Sequence, residues 1–260
     1  MSPVSLSVLL AIWVALLGLV IGSYLNVVIH RVPLGRSTVT PRSVCPFCGA
    51  GIRARDNIPV VSYLLLRGRC YSCSAPISPR YPLVEALTAL LFVTNLAVFG
   101  PTPRAAAGMV LSALLLALAA IDLDHFLLPD RLTLPGIAVG LALQPWLPAT
   151  TWLDAVLGVL VGAGLLILVI NVWYWLREEE AMGLGDVNML AMIGAFVGWQ
   201  GVMVTLFFAS LFGALAGLVL MALGKVEMKS KLPFGLFLSL GGLLALFAGP
   251  TIVARYLQSF

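Results

Sequence analysis

Long apolar runs recur along almost the whole of this chain, and they leave it few ways to fold. They fall at about 5–29, 83–99, 105–121, 132–148, 153–176, 187–199, 202–223 and 235–254. A spanning helix needs about 20 apolar residues. The chain is 61% hydrophobic and only 10% charged, against about 25% charged for a soluble domain, so the bilayer is the solvent for most of it. The expected architecture is an all-α integral membrane protein with about eight transmembrane helices. The run at 187–199 is short for a full span and is expected to tilt, thin the bilayer or enter it only part-way.

The one sizeable polar segment, 31–81, lies between the first and second runs. It carries eight arginines and all four cysteines, with many Pro, Gly and Ser. It is too short and broken for large helices, which predicts a small loop-rich domain. The expected organisation is a first transmembrane helix at 1–30, a polar cysteine domain at 31–81 and a membrane-embedded domain at 82–260. No Lys or Arg precedes the first run, and it exceeds the apolar core of a signal peptide, so it is read as a span rather than a cleaved signal. Threading eight spans from an outside N-terminus places 31–81, 122–131, 177–186 and 224–234 in the cytoplasm. Those connections hold 13 of the 15 Lys and Arg residues, leaving only Arg104 and Arg255 elsewhere, as the positive-inside rule requires. Basic loops beside anionic lipid account for the net charge of +4, and no nucleic-acid partner is expected.

The cysteines read Cys45-Pro-Phe-Cys48 and Cys70-Tyr-Ser-Cys73, with 21 residues between the pairs. Two CxxC turns at this spacing suit a four-thiolate Zn2+ site. With no open coordination position, such a metal is structural, and in so small a segment it supplies much of the folding energy. Disulfides or a redox pair are the alternatives, and disulfides are disfavoured where thiols stay reduced. Gly49 helps the first turn reverse. Gly136 with Gly140, Gly158 with Gly162 and Gly213 with Gly217 stand four apart, a spacing that lets helix backbones approach in lipid.

Two acidic clusters sit at expected cytoplasmic helix ends: Asp122, Asp124 and Asp130 in the first, and Asp186 after Gly183-Leu-Gly185 in the second. Acids at membrane depth are costly and tend to be functional. Taken singly they have blander readings. Asp130 suits a helix cap, Asp124 a solvated loop, and Asp186 a Gly-rich turn. Taken together they suit carboxylate catalysis. Two carboxylates sharing a site hold a proton between them, so one activates water while the other donates to the scissile carbonyl. His30 and His125 have no evident nucleophile partner, and the chain lacks HExxH and GxSxG.

These features in this order resemble the type IV prepilin peptidase family, the prepilin leader peptidases and N-methyltransferases. The resemblance covers nearly the whole chain. It rests on Gly22-Ser23-Tyr24-Leu25-Asn26-Val27, Arg31-Val32-Pro33, the cysteine domain with Leu66-Arg67-Gly68-Arg69-Cys70, and Arg80-Tyr81-Pro82-Leu83-Val84-Glu85. It is completed by Asp122 with Leu128-Pro129-Asp130, and by Gly183-Leu-Gly185-Asp186. The resemblance implies an enzyme of the bacterial inner membrane that cleaves basic leaders from prepilins or pseudopilins at the cytoplasmic face. Many members then methylate the new N-terminus using S-adenosylmethionine. By the same resemblance Asp122 and Asp186 are the catalytic pair, Cys45, Cys48, Cys70 and Cys73 hold zinc, and Gly68 and Arg69 are linked to methylation. Glu85, Asp124 and Asp130 belong to the motifs without joining the pair. The leader's basic residues suit an acidic mouth of Asp122, Asp124, Asp130 and Glu178, Glu179 and Glu180. The chain departs from the family at Arg69, where Lys is common, and at Asn188, where the family often has Lys.

Three other readings compete. One is a different intramembrane aspartyl protease sharing the GxGD turn. Another is a proton-coupled transporter, which leaves the cysteine domain without a task. The third is a membrane scaffold, which leaves the aspartates without one.

Overall fold

The structure is a computed structural model. It describes residues 3–147, 151–177, 183–224 and 232–259, with backbone alone for 3–6. The described residues form helices α1 (Pro3–Arg31), α2 (Val61–Leu65), α3 (Arg80–Phe99), α4 (Pro103–His125), α5 (Asp130–Leu143), α6 (Trp152–Arg177), α7 (Leu184–Ala222) and α8 (Phe234–Gln258), with short 3-10 turns at Ala54–Asn57 and Gln144–Trp146. Two isolated β-bridges, Val44 with Gly51 and Arg69 with Pro76, are the β pairings recorded among these residues. The all-α membrane architecture expected from the apolar runs is the observed one.

Among the described residues, six helices are long and apolar enough to cross a membrane: α1, α3, α4, α6, α7 and α8. The difference from about eight has two causes. The run at 132–148 folds as the 14-residue α5 and a 3-10 turn, and a 14-residue helix rises only about 21 Å. The runs at 187–199 and 202–223 are not separated by a loop. They are the two arms of α7, 184–197 and 199–222, broken where Gly198 takes φ 72° and ψ 177°. The break reverses the chain. A β-carbon on Gly194 would lie 2.9 Å from Val202 Cγ2, whereas residues eight apart in a straight helix are separated by about 12 Å.

The chain divides into two compact units, Met1–Ala105 and Ala106–Phe260. Packing therefore groups α3 with α1 and the cysteine segment. In the first unit α1 and α3 touch through glycines. A β-carbon on Gly18 would stand 2.5 Å from Ala89 Cα, and one on Gly22 2.7 Å from Glu85 Cα. Asn26 Nδ2 then donates to the Tyr81 carbonyl at 3.1 Å, so the resemblance motif that begins at Gly22 is in physical terms a seam between two helices.

In the second unit the first arm of α7 is the centre. Met189, Leu190, Met192, Ile193 and Ala195 are fully buried, which is why this stretch is apolar on every side. Two of the three glycine pairs mark its crossings. Gly158 and Gly162 of α6 lie against the backbone at Gly194 and Leu190, and Gly136 and Gly140 of α5 lie against Met192, Ala195 and Phe196. The third pair is looser: Gly213 and Gly217 face only side-chain atoms of Phe237 and Leu232, at 3.4 Å. Buried Gln144 ties the end of α5 to the Ala195 carbonyl at 2.8 Å.

Candidate active site and metal centre

The carboxylates of the second unit are placed by helix ends. Helix α4 stops after His125, where Phe126 enters the left-handed region at φ 51°. Pro129 then stands as the cap before α5. Asp122 lies one turn before this stop and is 5% exposed. Its carboxylate accepts the N–H of Leu236 at 3.3 Å and that of Gly235. Both N–H groups belong to the first turn of α8, where helical donors lack intrahelical partners and the helix dipole favours an anion. Gly235 permits the approach, because a β-carbon there would sit 2.9 Å from Asp122 Oδ2 and 2.8 Å from Leu128 Cδ2.

Asp186 is the third residue of α7, behind the cap residue Gly183. Its own N–H donates to the Gly183 carbonyl at 3.2 Å, and its carboxylate accepts the Gly183 N–H. Only the half of a capping box in which the third residue's carboxylate reaches back to the cap N–H is present, since Gly183 has no side chain to cap with. Asp186 remains partly exposed, and it lies close enough to Asp122 for their charges to repel. Buried Leu128 separates the two seats: it faces Gly235 on one side, and on the other a β-carbon at Gly185 would come within 2.9 Å of its Cβ and 3.0 Å of its carbonyl oxygen. The structure thus brings Asp122 and Asp186 to one end of the unit.

Asp124 and Asp130 are exposed. Asp130 accepts a hydrogen bond from Asn188 Nδ2 at 2.8 Å, so the residue that departs from the family links the two acidic motifs as a neutral donor. Glu178, Glu179 and Glu180, expected in an acidic mouth, lie outside the described residues. Sequence reasoning missed Gly235, Leu236 and the part played by Leu128. The available signal was Pro233-Phe234-Gly235, a proline cap followed by glycine within the first turn of an otherwise apolar helix.

In the first unit the four cysteine sulfurs lie within 4.8 Å of one another, and Cys45 and Cys73 stand 3.9 Å apart. Four thiolates at metal–sulfur bonds of about 2.3 Å in a tetrahedron are about 3.8 Å from each other, so the donor set fits one metal ion. Each knuckle is built the same way. The N–H of Cys45 donates to Ala50 and that of Cys70 to Ala75, at 2.9 and 2.8 Å, while Gly49 and Ser74 return to the carbonyls of Cys45 and Cys70. Gly49 and Ser74 both take positive φ, 70° and 57°, so the reversal expected of Gly49 is repeated by a residue that carries a β-carbon. The backbone N–H groups of Cys48 and Phe47 hold the Cys45 thiol down at about 6. The Ala75 N–H draws Cys73 down, but the crowding of Cys48, Cys70 and Cys45 and burial push it up to about 12. A bound cation relieves such crowding.

Gly68 takes φ 67° and accepts the Ile77 N–H at 2.7 Å. A β-carbon there would meet Tyr63 Oη at 3.0 Å. Arg69 beside it is exposed. Glu85 is 7% exposed on α3. Its Oε2 accepts the Val60 N–H at 2.7 Å, and the Ser23 hydroxyl donates to it, which answers the need of a buried carboxylate for donors. Val60 sits at φ 59°, a strained state for a β-branched residue. Gly68, Arg69 and Glu85 thus belong to the first unit, and the four aspartates to the second.

Membrane-length helices, two carboxylates seated at helix ends and four cysteines placed so that they could hold a metal ion describe a multi-pass membrane protein. Comparison with known proteins gives the family. Residues 16–99 match the model described as the bacterial peptidase A24 N-terminal domain, and 109–218 match that of the type IV leader peptidase family. A protein of Myxococcus xanthus is 46% identical over 224 residues, 86% of this chain and 67% of that protein. One of Aeromonas hydrophila is 41% identical over 275 residues, 95% of this chain and 93% of that protein. One of Pseudomonas aeruginosa is 41% identical over 272 residues, 94% of this chain and 92% of that protein. All three are named prepilin leader peptidase/N-methyltransferase. The chain belongs to the type IV leader peptidase family. No solved structure matches it.

Proposed function

We propose that this protein is an aspartyl endopeptidase that removes the leader of type IV prepilins or pseudopilins, with Asp122 and Asp186 as its catalytic pair. The observation that carries the reading is the convergence of these two carboxylates, each held by backbone N–H groups at a helix boundary. In this mechanism the pair shares one proton and holds a water between its members. The ionised carboxylate takes a proton from that water as its oxygen attacks the scissile carbonyl. The other donates its proton to the carbonyl oxygen. Collapse of the tetrahedral intermediate returns a proton to the leaving amine. Gly183, where a β-carbon would meet nothing nearer than 3.9 Å, leaves room for a substrate backbone near Asp186, whereas Gly185 is packed against Leu128. The peptidase chemistry is assigned to the membrane-embedded part, 82–260.

Cys45, Cys48, Cys70 and Cys73 would hold Zn2+, with a structural role because all four positions are filled by protein. Methylation of the new N-terminus with S-adenosylmethionine rests on the double name of the relatives. The space beside Gly68 is filled by Tyr63, so the residues the resemblance points to do not form a cradle, and no step is derived through that cofactor. We place the protein in the bacterial inner membrane with its N-terminus outside and 31–81 in the cytoplasm, on the strength of the distribution of basic residues.

The test is incubation of the purified protein with a prepilin and isotopically labelled S-adenosylmethionine, followed by mass analysis. Loss of the leader with a gain of one labelled methyl is expected. An intact prepilin overturns the peptidase reading, and a cleaved but unlabelled product overturns the methylation reading alone. Reporters fused near residues 60 and 101 test the orientation. Cytoplasmic and periplasmic behaviour, in that order, is expected, and the reverse pattern overturns it.

A further inference from the structure

Helix α2 has one face that is apolar and uncovered. Val61, Leu64 and Leu65, at i, i+3 and i+4, are 47%, 67% and 77% exposed, and Ile58, which precedes the bend at Val60, is 47% exposed. The opposite face is engaged with protein: the Ser62 hydroxyl donates to the Ile58 carbonyl at 2.7 Å, and Tyr63 stands against Gly68. A five-residue helix does not hold itself in water, and three large aliphatic side chains together in water are unfavourable.

The depth of this helix follows from the Glu85 bond. Helix α3 has 20 residues, which rise about 30 Å, the thickness of the hydrocarbon layer. Its two ends therefore lie near the edges of that layer. Glu85 is five residues in from Arg80, about 7 Å below the edge. The Val60 N–H that Glu85 accepts at 2.7 Å puts the start of α2 at that same level. An amphipathic segment lying in the membrane interface buries its apolar face about 5–10 Å deep. Arg67 and Arg69 follow α2 directly and are exposed, as befits side chains beside anionic headgroups.

We propose that α2 is an interfacial anchor. Ile58, Val61, Leu64 and Leu65 enter the boundary between headgroups and acyl chains, while Arg67 and Arg69 bind anionic lipid above them. The occupant of this face is lipid, not a protein helix: its level is fixed by a spanning helix of the same unit, and its basic border matches a headgroup layer. The bond from Val60 to buried Glu85 ties the start of α2 to α3 at that depth.

The first experiment uses the unsubstituted protein in nanodiscs of phosphatidylethanolamine and phosphatidylglycerol. A hydrophobic diazirine dissolved in the lipid is irradiated, and incorporation is mapped residue by residue. Incorporation at Leu64 and Leu65 at least about threefold above that at Ser62 and Tyr63 is expected for a segment lying in the interface. Equal incorporation on both faces, or none on either, overturns the proposal. A second experiment replaces Leu65 with the photocrosslinker p-benzoylphenylalanine and adds a prepilin before irradiation. A lipid adduct supports the anchor. An adduct to the prepilin shows a substrate-docking face instead and overturns it. Retention of bound metal by this variant shows that the first unit is intact.

Discussion

The cysteine cluster of the first unit is built from two turns that are each local in sequence, whereas the acid pair of the second joins residues 64 apart through the packing of four helix ends. Each cysteine knuckle closes through its own backbone, Cys45 to Ala50 and Cys70 to Ala75, so its geometry travels with a short stretch of chain. The acid pair has no such local guarantee. Asp122 depends on the first turn of α8, and Asp186 depends on the cap of α7, with Leu128 between them. The first unit is therefore expected to fail through loss of a ligand, and the second through small shifts of packing. The predictions below test that contrast, beginning with the largest effect.

Asp122→Asn and Asp186→Asn keep side-chain size and remove proton exchange. Each is expected to lower prepilin cleavage by about 1,000-fold or more, with the double variant little worse than either single, because residues acting as a unit are not additive. All three variants should retain metal. Cleavage assays on purified variants check this, and substantial turnover by Asp186→Asn would end the pair mechanism. Asp124→Asn, at an exposed position, is expected to cost less than about tenfold.

Cys45→Ser or strong chelation attacks the other half of the comparison. Metal binding in such modules supplies about 10–16 kcal/mol, so the expected result is release of the metal and rapid proteolysis within 31–81. Cleavage falls as a secondary consequence. Elemental analysis with limited proteolysis is the measurement. Active protein that never held metal would remove the structural role of the four cysteines.

Gly235→Ala is the packing counterpart. Its β-carbon would stand 2.9 Å from Asp122 Oδ2, so the carboxylate must move. A displacement of about 1 Å at a catalytic group costs about 100-fold, with metal content unchanged. If Gly235→Ala cleaves normally, the seat of Asp122 on α8 is not what holds it.

The difference between the units also decides what could be read in advance. The cysteine site was legible because ligand spacing is local, and the helical membrane fold was legible because length and apolarity suffice. Asp122 and Asp186 were legible as a pair only through the order of motifs, since nothing in the sequence reports that α8 returns to meet α4. Gly235 was missed for that reason: Pro233-Phe234-Gly235 marks a helix start, but it does not report which neighbour the glycine admits. The reversal at Gly198 was hidden too. No polar loop marks it, and the left-handed φ of a single glycine replaces the turn that sequence reading looks for.

The smallest effect is expected at the bond between Asp130 and Asn188, where the two motifs of the second unit touch directly at 2.8 Å. Asp130 opens α5, and Asn188 lies just beyond Asp186 on α7. The bond therefore spans the same gap that Leu128 fills, but on its solvent side. A hydrogen bond to a carboxylate at an exposed position contributes about 1 kcal/mol. Asn188→Ala and Asp130→Ala should each lower the unfolding free energy of the second unit by about that much and slow cleavage only a few-fold. If the bond is what couples the two residues, the double variant is no worse than either single, and the cycle returns a coupling of about 1 kcal/mol. Asn188→Lys keeps a donor and adds charge, so it should retain the coupling and make it salt-dependent through screening. Strictly additive losses would show that the two motifs are held by Leu128 and the helix ends alone, and that packing rather than polar contact sets the geometry of the acid pair.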